Sequence, residues 1–200
     1  MHSELLNTIT NQETFKRMNK RQRSLSQETE ELLNKQVELE DISSAIYLSM
    51  ASWCEINGYE NSAAFLYEHT EEEKMHMMKI FRYINETGGH ALVPDVTNIK
   101  HEFDSLRKVF EEVLEHEIFI TNSIHNIVNH CYSSKDFTTF NFLQWYVTEQ
   151  REEETLARRL VELFDIIGVD GIGLWTIDQE IGKMASGSGG AGTAATAPQA

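Results

Sequence analysis

The chain has 200 residues, 40% of them hydrophobic, and a formal net charge of -15 from 32 acidic and 17 basic residues. This length suits one domain with its own core. The negative charge argues against nucleic acid or an anionic membrane as the main partner, because both would repel the chain. It makes small cations the expected partners. No apolar run approaches the ~18 residues of a membrane span, so a cytoplasmic protein is expected.

The first 26 residues are polar and carry a basic cluster between Lys16 and Arg23. They precede any sustained apolar pattern, so we expect a flexible arm. A targeting segment and a polyanion-binding arm are the alternatives, although Glu4 and Glu13 do not suit an acid-poor targeting peptide.

Two long helices follow the arm. Ser26 is a candidate N-cap, with acidic residues in the first turn, and the helix that it opens should run to about residues 57–58. A second helix is predicted from residues 61–62 to the glycine pair at 88–89. Residues 90–101 show no periodicity and indicate an extended connection.

Two more helices complete the body of the chain. The third is predicted over residues 102–131, broken by Tyr132–Ser134, and the fourth over residues 136–167. A short helical segment is expected from Gly173 to Ile181. Residues 184–200 consist mostly of Gly, Ala, Ser and Thr and should be disordered, as either a natural tail or an added linker.

Helix lengths and connections together predict an all-α fold. Helices of nearly thirty residues would be ~40 Å long, and near-equal lengths suit a bundle. Short links make helices one and two, and helices three and four, antiparallel neighbours. The longer middle link can cross the whole bundle. We therefore predict an antiparallel four-helix bundle over residues 27–183, with one long crossover between helices two and three and a short fifth helix.

Helices one and two each carry a carboxylate beside a second polar group on the same face. Glu40 and Tyr47 are seven residues apart, which places them two helical turns apart on a common face. Glu73 and His76 form a Glu-x-x-His pair, the arrangement with which di-iron bundles supply a carboxylate and an imidazole to adjacent metal ions. Either pair alone would be weak evidence.

Helices three and four supply matching groups. Glu117 lies within an otherwise apolar run, and Gln150 and Glu153 share a face in the same way as the Glu-x-x-His pair. All these groups lie near the middle of their predicted helices, so they can meet whichever way each helix runs. Buried carboxylates without a cation would cost several kcal/mol each, and a bound metal removes that cost. Carboxylate and imidazole ligands favour iron or manganese.

At this point the sequence resembles the bacterial non-haem ferritins. The resemblance rests on F-L-Y-E-H-T-E-E-E-K-M-H-M-M at 65–78, F-N-F-L-Q-W-Y-V-T-E-Q-R-E-E-E at 140–154, and L-N-K-Q-V-E-L-E in helix one. It spans about residues 28–183.

The resemblance implies a ferroxidase centre with iron as its metal and no haem. Glu73 would bridge two irons, with Glu40 and His76 completing one position, Glu117 and Glu153 completing the other, and Gln150 close by. A third, more weakly held iron would use Glu72, Glu149, Glu152 and Glu153. Tyr47 and Trp145 match aromatic residues that can donate an electron, with plain core packing as the alternative for both.

The resemblance also implies a hollow cage of 24 subunits that oxidises Fe²⁺ with O₂ and stores ferric oxo-hydroxide. The apolar stripe of helix one fits such an assembly, because it lies on a different face from Glu40 and would be left wet in a monomer. That stripe consists of Leu39, Ile42, Ile46 and Trp53.

Four alternatives are considered. In the haem-containing bacterioferritins, a haem-ligating Met directly follows the bridging glutamate of helix two. This chain has Lys74 at that position. A rubrerythrin-like peroxidase needs C-x-x-C pairs, which Cys54 and Cys131 do not form. A DNA-coating mini-ferritin is opposed by the net charge. A helical scaffold without metal leaves the converging ligands unexplained.

Overall fold

The computed structural model describes residues 24–188, with side chains up to Met184. Within this range the chain is helical, without strands. Most of the predicted arm and the end of the predicted tail lie outside the described residues. The helices are α1 (Gln27–Ile56), α2 (Glu60–Glu86), α3 (Leu106–Ser134), α4 (Phe137–Ile167) and α5 (Gly171–Ser188). Among them, none is both long and apolar enough to cross a membrane.

The N-cap predicted for helix one is confirmed. The Ser26 hydroxyl accepts a hydrogen bond from the Thr29 amide at 3.0 Å, which satisfies a donor at the start of α1. The helix ends before Gly58, whose φ of 83° is the left-handed conformation that glycine adopts without strain. Helix α2 begins at Glu60, one residue before the predicted opening.

The middle connection runs along α1, as the predicted crossover requires. Near the start of α1, the Asn34 side chain donates to the His90 carbonyl at 3.0 Å and accepts from the Leu92 amide at 2.8 Å. Fifteen residues further along α1, the Ser49 hydroxyl donates to the Lys100 carbonyl at 2.6 Å. These anchors are ~22 Å apart along the helix. The link therefore returns the chain to the other end of the bundle, and α3 pairs with α4 as α1 pairs with α2.

The predicted bounds of helix three were wrong at both ends. The helix starts at Leu106 rather than residue 102, because the Ser105 hydroxyl caps it by accepting from the Lys108 amide. It also continues through Tyr132–Ser134, where a break was predicted. The actual stop is Lys135 in the left-handed conformation, followed by Asp136, whose carboxylate caps α4.

The fifth helix is longer than predicted. It spans 18 residues from Gly171 to Ser188 instead of Gly173 to Ile181. The Asp170 carboxylate accepts from the Gly173 amide at 2.6 Å and so favours the earlier start. At the other end, the small residues assigned to the tail continue the helix to Ser188. Ile177 and Ile181 of α5 are fully buried against the bundle.

Two apolar clusters fill the bundle and leave a polar layer between them. One cluster lies towards α5 and includes Met50, Leu66, Phe110 and Leu160. The other lies towards the opposite end and includes Leu33, Ile80, Ile124 and Leu143. The side chains between them are buried but polar, and every helix of the bundle contributes to them: Glu40, Ser43, Ser44, Thr70, Glu73, His76, Glu117 and Gln150.

The apolar stripe of helix one packs only partly against this core. Leu39, Ile42 and Ile46 are only half-buried in the single chain, and Trp53 alone is buried, with its ring 5.9 Å from that of Phe103. The inward face of α1 is occupied instead by the residues that line the core and the polar layer. The stripe thus remains available for contacts beyond this chain.

The buried carboxylate of Asp178 fixes α5 to the start of α2. Its two oxygens accept from the Asn61 amide and side chain at 3.3 and 2.8 Å and from the Ser62 amide and hydroxyl at 2.8 and 2.7 Å. Tyr59 at the N-cap position of α2 makes no capping hydrogen bond. Asp178 therefore caps α2 from a distant helix.

Replacing Asp178 with Ala should destabilise the protein by about 2–4 kcal/mol, because buried donors on α2 lose a charged acceptor. Thermal unfolding should show the loss, and limited proteolysis should cut first within α5. Asp165→Asn is the matched control, since Asp165 is 64% exposed and pairs only with Arg107. Equal unfolding temperatures for the two variants would contradict this role of Asp178.

Candidate metal centre

The first half of the site joins α1 and α2. One ligand atom each from Glu40, Glu73 and His76 lies within 4.8 Å of the others. The His76 Nδ1 atom is 3.6 Å from Glu73 Oε2 and 4.0 Å from Glu40 Oε2, too far for hydrogen bonds. All three residues are buried. The Glu-x-x-His pair predicted from the sequence thus meets the predicted carboxylate of helix one.

The second half comes from α3 and α4. Glu117 is buried, and the Tyr47 hydroxyl donates a short hydrogen bond to its Oε1 atom. The Gln150 amide donates to its other oxygen, Oε2, at 3.0 Å. Tyr47 and Gln150 therefore hold Glu117 from two sides. Gln150 thus positions the carboxylate through its NH₂ group, and its role as a metal ligand stays a prediction.

Glu153 belongs to a second convergent group, with His69 and Glu72. The His69 Nε2 atom lies 3.3 Å from Glu153 Oε2, and its Nδ1 atom lies 3.9 Å from Glu72 Oε2. His69 was not among the residues predicted from the sequence. The available signal was its spacing of three residues from Glu72, which repeats the Glu-x-x-His pair in reverse order.

Three buried carboxylates of the two halves have raised pKa values. Burial raises the pKa of Glu40 well above its usual value, and the negative charge of Glu73 raises it further. Burial and the charge of Glu117 do the same to the pKa of Glu73. Burial and Glu153 raise the pKa of Glu117 to about 7. The four acids are close enough to repel one another, so a positive charge among them would be stabilised.

In the second group, the pKa of the acid Glu153 is lowered and not raised. Burial alone would lower the pKa of His69, but the hydrogen bond and charge of Glu153 outweigh it and raise that pKa to about 9. Burial alone would raise the pKa of Glu153, and the contact with His69 outweighs it and lowers that pKa. The contact with His69 thus favours the ionised form of the Glu153 carboxyl.

Two buried polar atoms support a metal in the first half. Within the described part of the chain, Glu40 Oε2 and His76 Nδ1 are buried without a hydrogen-bond partner. Buried polar groups are nearly always paired, and an unpaired one costs about 1–3 kcal/mol. Both atoms are metal ligands in chemical type, and both point into the same space as Glu73. A divalent cation would satisfy all three.

Gln36 was also missed by the sequence analysis. It is fully buried one turn before Glu40, and its amide donates a short hydrogen bond to Glu40 Oε1. Its own carbonyl oxygen accepts from the Ser123 hydroxyl of α3 at 2.6 Å. These two hydrogen bonds fix one oxygen of Glu40 and leave Oε2 directed at the proposed metal position. The spacing of four residues was visible in the sequence, but the anchor on α3 was not.

The four acids assigned to a third iron do not all converge. Glu72 and Glu153 lie together with His69. Glu149 is half-buried and raises the pKa of Glu72, although less than burial does. The Glu152 side chain is 60% exposed and pairs with Arg151 at 3.0 Å.

The two aromatic residues lie on different sides of the site. Tyr47 is fully buried and contacts Glu117. Trp145 is half-buried, stacks on Tyr146 with 4.5 Å between ring centroids, and has its ring 5.5 Å from that of His76. The Lys79 ammonium lies over its outer face, 3.3 Å from the centroid.

Comparison with known proteins places this geometry in a family. The sequence profile of the family described as "Ferritin-like domain" matches residues 30–167. The chain belongs to the ferritin family. A bacterial non-heme ferritin of Campylobacter jejuni is 46% identical to this ferritin over 161 residues, covering 80% of this chain and 96% of the relative. A probable bacterial non-heme ferritin-like protein of Haemophilus influenzae is 43% identical over 162 residues, covering 81% and 98%.

Solved structures agree with these relatives. The open pore ferritin of Archaeoglobus fulgidus superposes with a TM-score of 0.77 at 40% identity, covering 80% of this ferritin and 97% of that chain. The resemblance to bacterial non-haem ferritins is therefore confirmed, as is the four-helix fold. Iron binding, oxidation and storage are the general activities that this membership supports.

Replacing Gln36 with Leu should weaken metal binding by this ferritin about 10- to 100-fold, because residues that orient a ligand are worth that much in affinity. Leu keeps the volume but cannot hold Glu40 Oε1. Anaerobic titration with Co²⁺ measures the affinity. Gln144→Leu is the control, since Gln144 is exposed and bonds only to the backbone of its own helix. Equal affinities in the two variants would show that Glu40 needs no anchor.

Proposed function

We propose that this ferritin oxidises Fe²⁺ with O₂ at a di-iron centre inside each subunit and stores the ferric product in a cage. The observation that carries the proposal is the buried convergence of Glu40, Glu73 and His76, in which two ligand atoms have no other partner. Iron is the substrate of this reaction, and the protein supplies the ligands that hold it.

We assign the two metal positions to the two halves of the site. Glu40 and His76 would hold one ion, and Glu117 and Glu153 the other. Glu73 suits the bridging role because the pKa of its buried carboxyl responds to Glu117 and Glu153 as well as to Glu40, so it lies between the two halves.

The paired arrangement matches the electron demand of the reaction. One Fe²⁺ gives one electron, whereas reduction of O₂ to the level of hydrogen peroxide takes two, so two adjacent ions can complete the step together. The redox chemistry belongs to the metal ions. The protein sets the distance between the two ions and the charge that surrounds them. Four carboxylates also stabilise the extra positive charge that each ion gains on oxidation to Fe³⁺.

The aromatic residues are proposed as supplementary electron donors. Tyr47 donates its hydroxyl proton into a hydrogen bond with Glu117, so loss of an electron from its ring can be accompanied by transfer of that proton. Trp145 reaches the site only through the rings of His76 and Tyr146. Tyr47 is therefore the more direct donor of the two.

The combined variant Glu73→Ala and His76→Ala should abolish fast oxidation, because it removes the bridge and the imidazole of the centre. The expected result is a fall of at least about 100-fold in the initial rate of aerobic Fe²⁺ oxidation, followed by absorbance of the ferric product. The control combines Glu71→Gln with His125→Ala, which are exposed residues of α2 and α3. Unchanged oxidation in the first variant would rule out this centre.

Storage requires an assembly, which we propose is a cage of 24 subunits. The subunit surface supports extensive contacts, because large apolar side chains are exposed on it. Besides the half-buried stripe of α1, they include Ile56 at 79%, Leu92 at 54% and Val93 at 84% exposure. The solved relatives carry the name ferritin, and their fold is shared over most of this chain.

Light scattering of the purified protein should give a mass of about 550 kDa, as 24 copies of a 23.0 kDa chain require. The same sample should show a hollow particle by electron microscopy. A species of monomer or dimer mass would contradict the proposed storage function and leave only the proposed iron oxidation.

A further inference from the structure

We propose that the Tyr146 hydroxyl donates a hydrogen bond to the Glu40 carboxylate and so positions this ligand for the metal from α4. The inference rests on the proposed function, because Glu40 needs positioning only if it holds an ion. Tyr146 was not among the site residues predicted from the sequence. Its role is to orient a ligand, and it does not itself bind the metal.

The Tyr146 hydroxyl is a buried polar group in need of a partner. Tyr146 is fully buried, and within the described part of the chain its oxygen makes no hydrogen bond. Glu40 Oε2 and His76 Nδ1 are buried and unpaired in the same way. Buried polar groups are nearly always paired. A phenol can donate and an ionised carboxylate can only accept, so the two unpaired oxygens are complementary.

The phenol and the carboxylate lie close together in the polar layer. The Tyr146 ring is 5.3 Å from the His76 ring between centroids, on the side of the site that His76 shares with Glu40. Burial raises the pKa of Tyr146, and the charge of Glu40 raises it further. Burial also raises the pKa of Glu40, whereas the Tyr146 hydroxyl lowers it. Each group therefore acts on the other, as a donor does on an ionised acceptor.

The Tyr146 ring is held in place by its neighbours. It stacks on Trp145 with 4.5 Å between centroids and 2° between the ring planes. The Lys79 ammonium lies 3.3 Å from the Trp145 centroid and covers that ring in turn. A phenol oxygen lies in the plane of its ring, so a fixed ring also fixes the oxygen. The hydroxyl therefore stays beside Glu40, and only its hydrogen has to turn.

The other half of the site shows the same kind of support. Glu117 accepts from the Tyr47 hydroxyl at one oxygen and from a glutamine amide at the other. Glu40 accepts from the Gln36 amide at Oε1, and Tyr146 supplies the phenol at Oε2. Each carboxylate is then held by one amide and one phenol. A second lone pair on Oε2 remains for the ion.

Tyr146→Phe tests the role, because it removes the hydroxyl and keeps the stacked ring. In anaerobic Co²⁺ titration, the ion at the Glu40 and His76 position should bind about 10-fold more weakly, as expected for loss of a group that orients a ligand. Its visible absorption, which reports ligand geometry, should change as well, while the other ion keeps its affinity. Unchanged affinity and absorption would overturn the proposal, as would an equal loss at both positions, which indicates a general packing defect.

Tyr83→Phe is the matched control. Tyr83 is also a buried tyrosine with a stacked ring, 3.8 Å from that of Phe142, but its hydroxyl pairs with Thr139 at 2.9 Å. This variant should bind Co²⁺ as the wild type does.

A crystal structure of the wild type with Co²⁺ bound gives a direct measurement that needs no variant. The Tyr146 oxygen should lie about 2.5–2.7 Å from a Glu40 oxygen, the usual length of a hydrogen bond from a hydroxyl to a carboxylate. A Tyr146 oxygen bound to the metal itself, or paired with a different group, would overturn the proposal.

His76→Ala separates failure of this inference from failure of the proposed function. It should lose the ion of the first position. If His76→Ala binds Co²⁺ like the wild type, the di-iron assignment itself fails. If His76→Ala loses that ion while Tyr146→Phe binds normally, the metal position stands and the role of Tyr146 is refuted.

Discussion

The structure depends on the burial of several carboxylates at one level of a helical bundle. Taking a single carboxylate out of water costs several kcal/mol, and neighbouring acids add their mutual repulsion. Burial and the charges of neighbouring acids raise the pKa values of Glu40, Glu73 and Glu117, so binding a proton at these groups lowers the cost. A divalent cation would offset the same cost. It would also coordinate the buried ligand atoms that have no hydrogen-bond partner. The buried acids thus require positive charge at the site, whichever cation supplies it.

The remaining architecture serves to keep that layer in position. Apolar clusters above and below it hold the four helices at fixed separations, so the acids cannot spread apart to relieve their repulsion. Helices also place ligands more accurately than loops do, because packing fixes their side-chain rotamers. The crossover is anchored on α1 at Asn34 and Ser49, and Asp178 ties α5 to α2. The long helices therefore act as a frame whose middle is the reactive part.

The sequence predicted what depends on local spacing and missed what depends on contacts between helices. Helix one was predicted well because Ser26 and Gly58 are strong local signals. The Glu73 and His76 pair was found because one helical turn brings them together. Gln36 acquires its role only through Ser123 on another helix, and His69 only through Glu153 on α4. The stop of α3 depended on the left-handed conformation of Lys135, a residue without strong preference for it.

The two proposed metal positions are unequal, and this inequality would suit a protein that must let its metal leave. The first position has an imidazole and the buried, anchored Glu40. At the second, the helix-four counterpart of His76 is Gln150, whose NH₂ group is spent on holding Glu117. The proposed second position therefore has Gln150 where the first has an imidazole, and its acid Glu153 also lies 3.3 Å from His69 Nε2. Burial of the acids also falls from Glu40 on α1, which is fully buried, to Glu72, whose side chain is 47% exposed. An ion at the proposed second position would therefore be held less firmly than one at the first, which would allow the oxidised metal to be passed on.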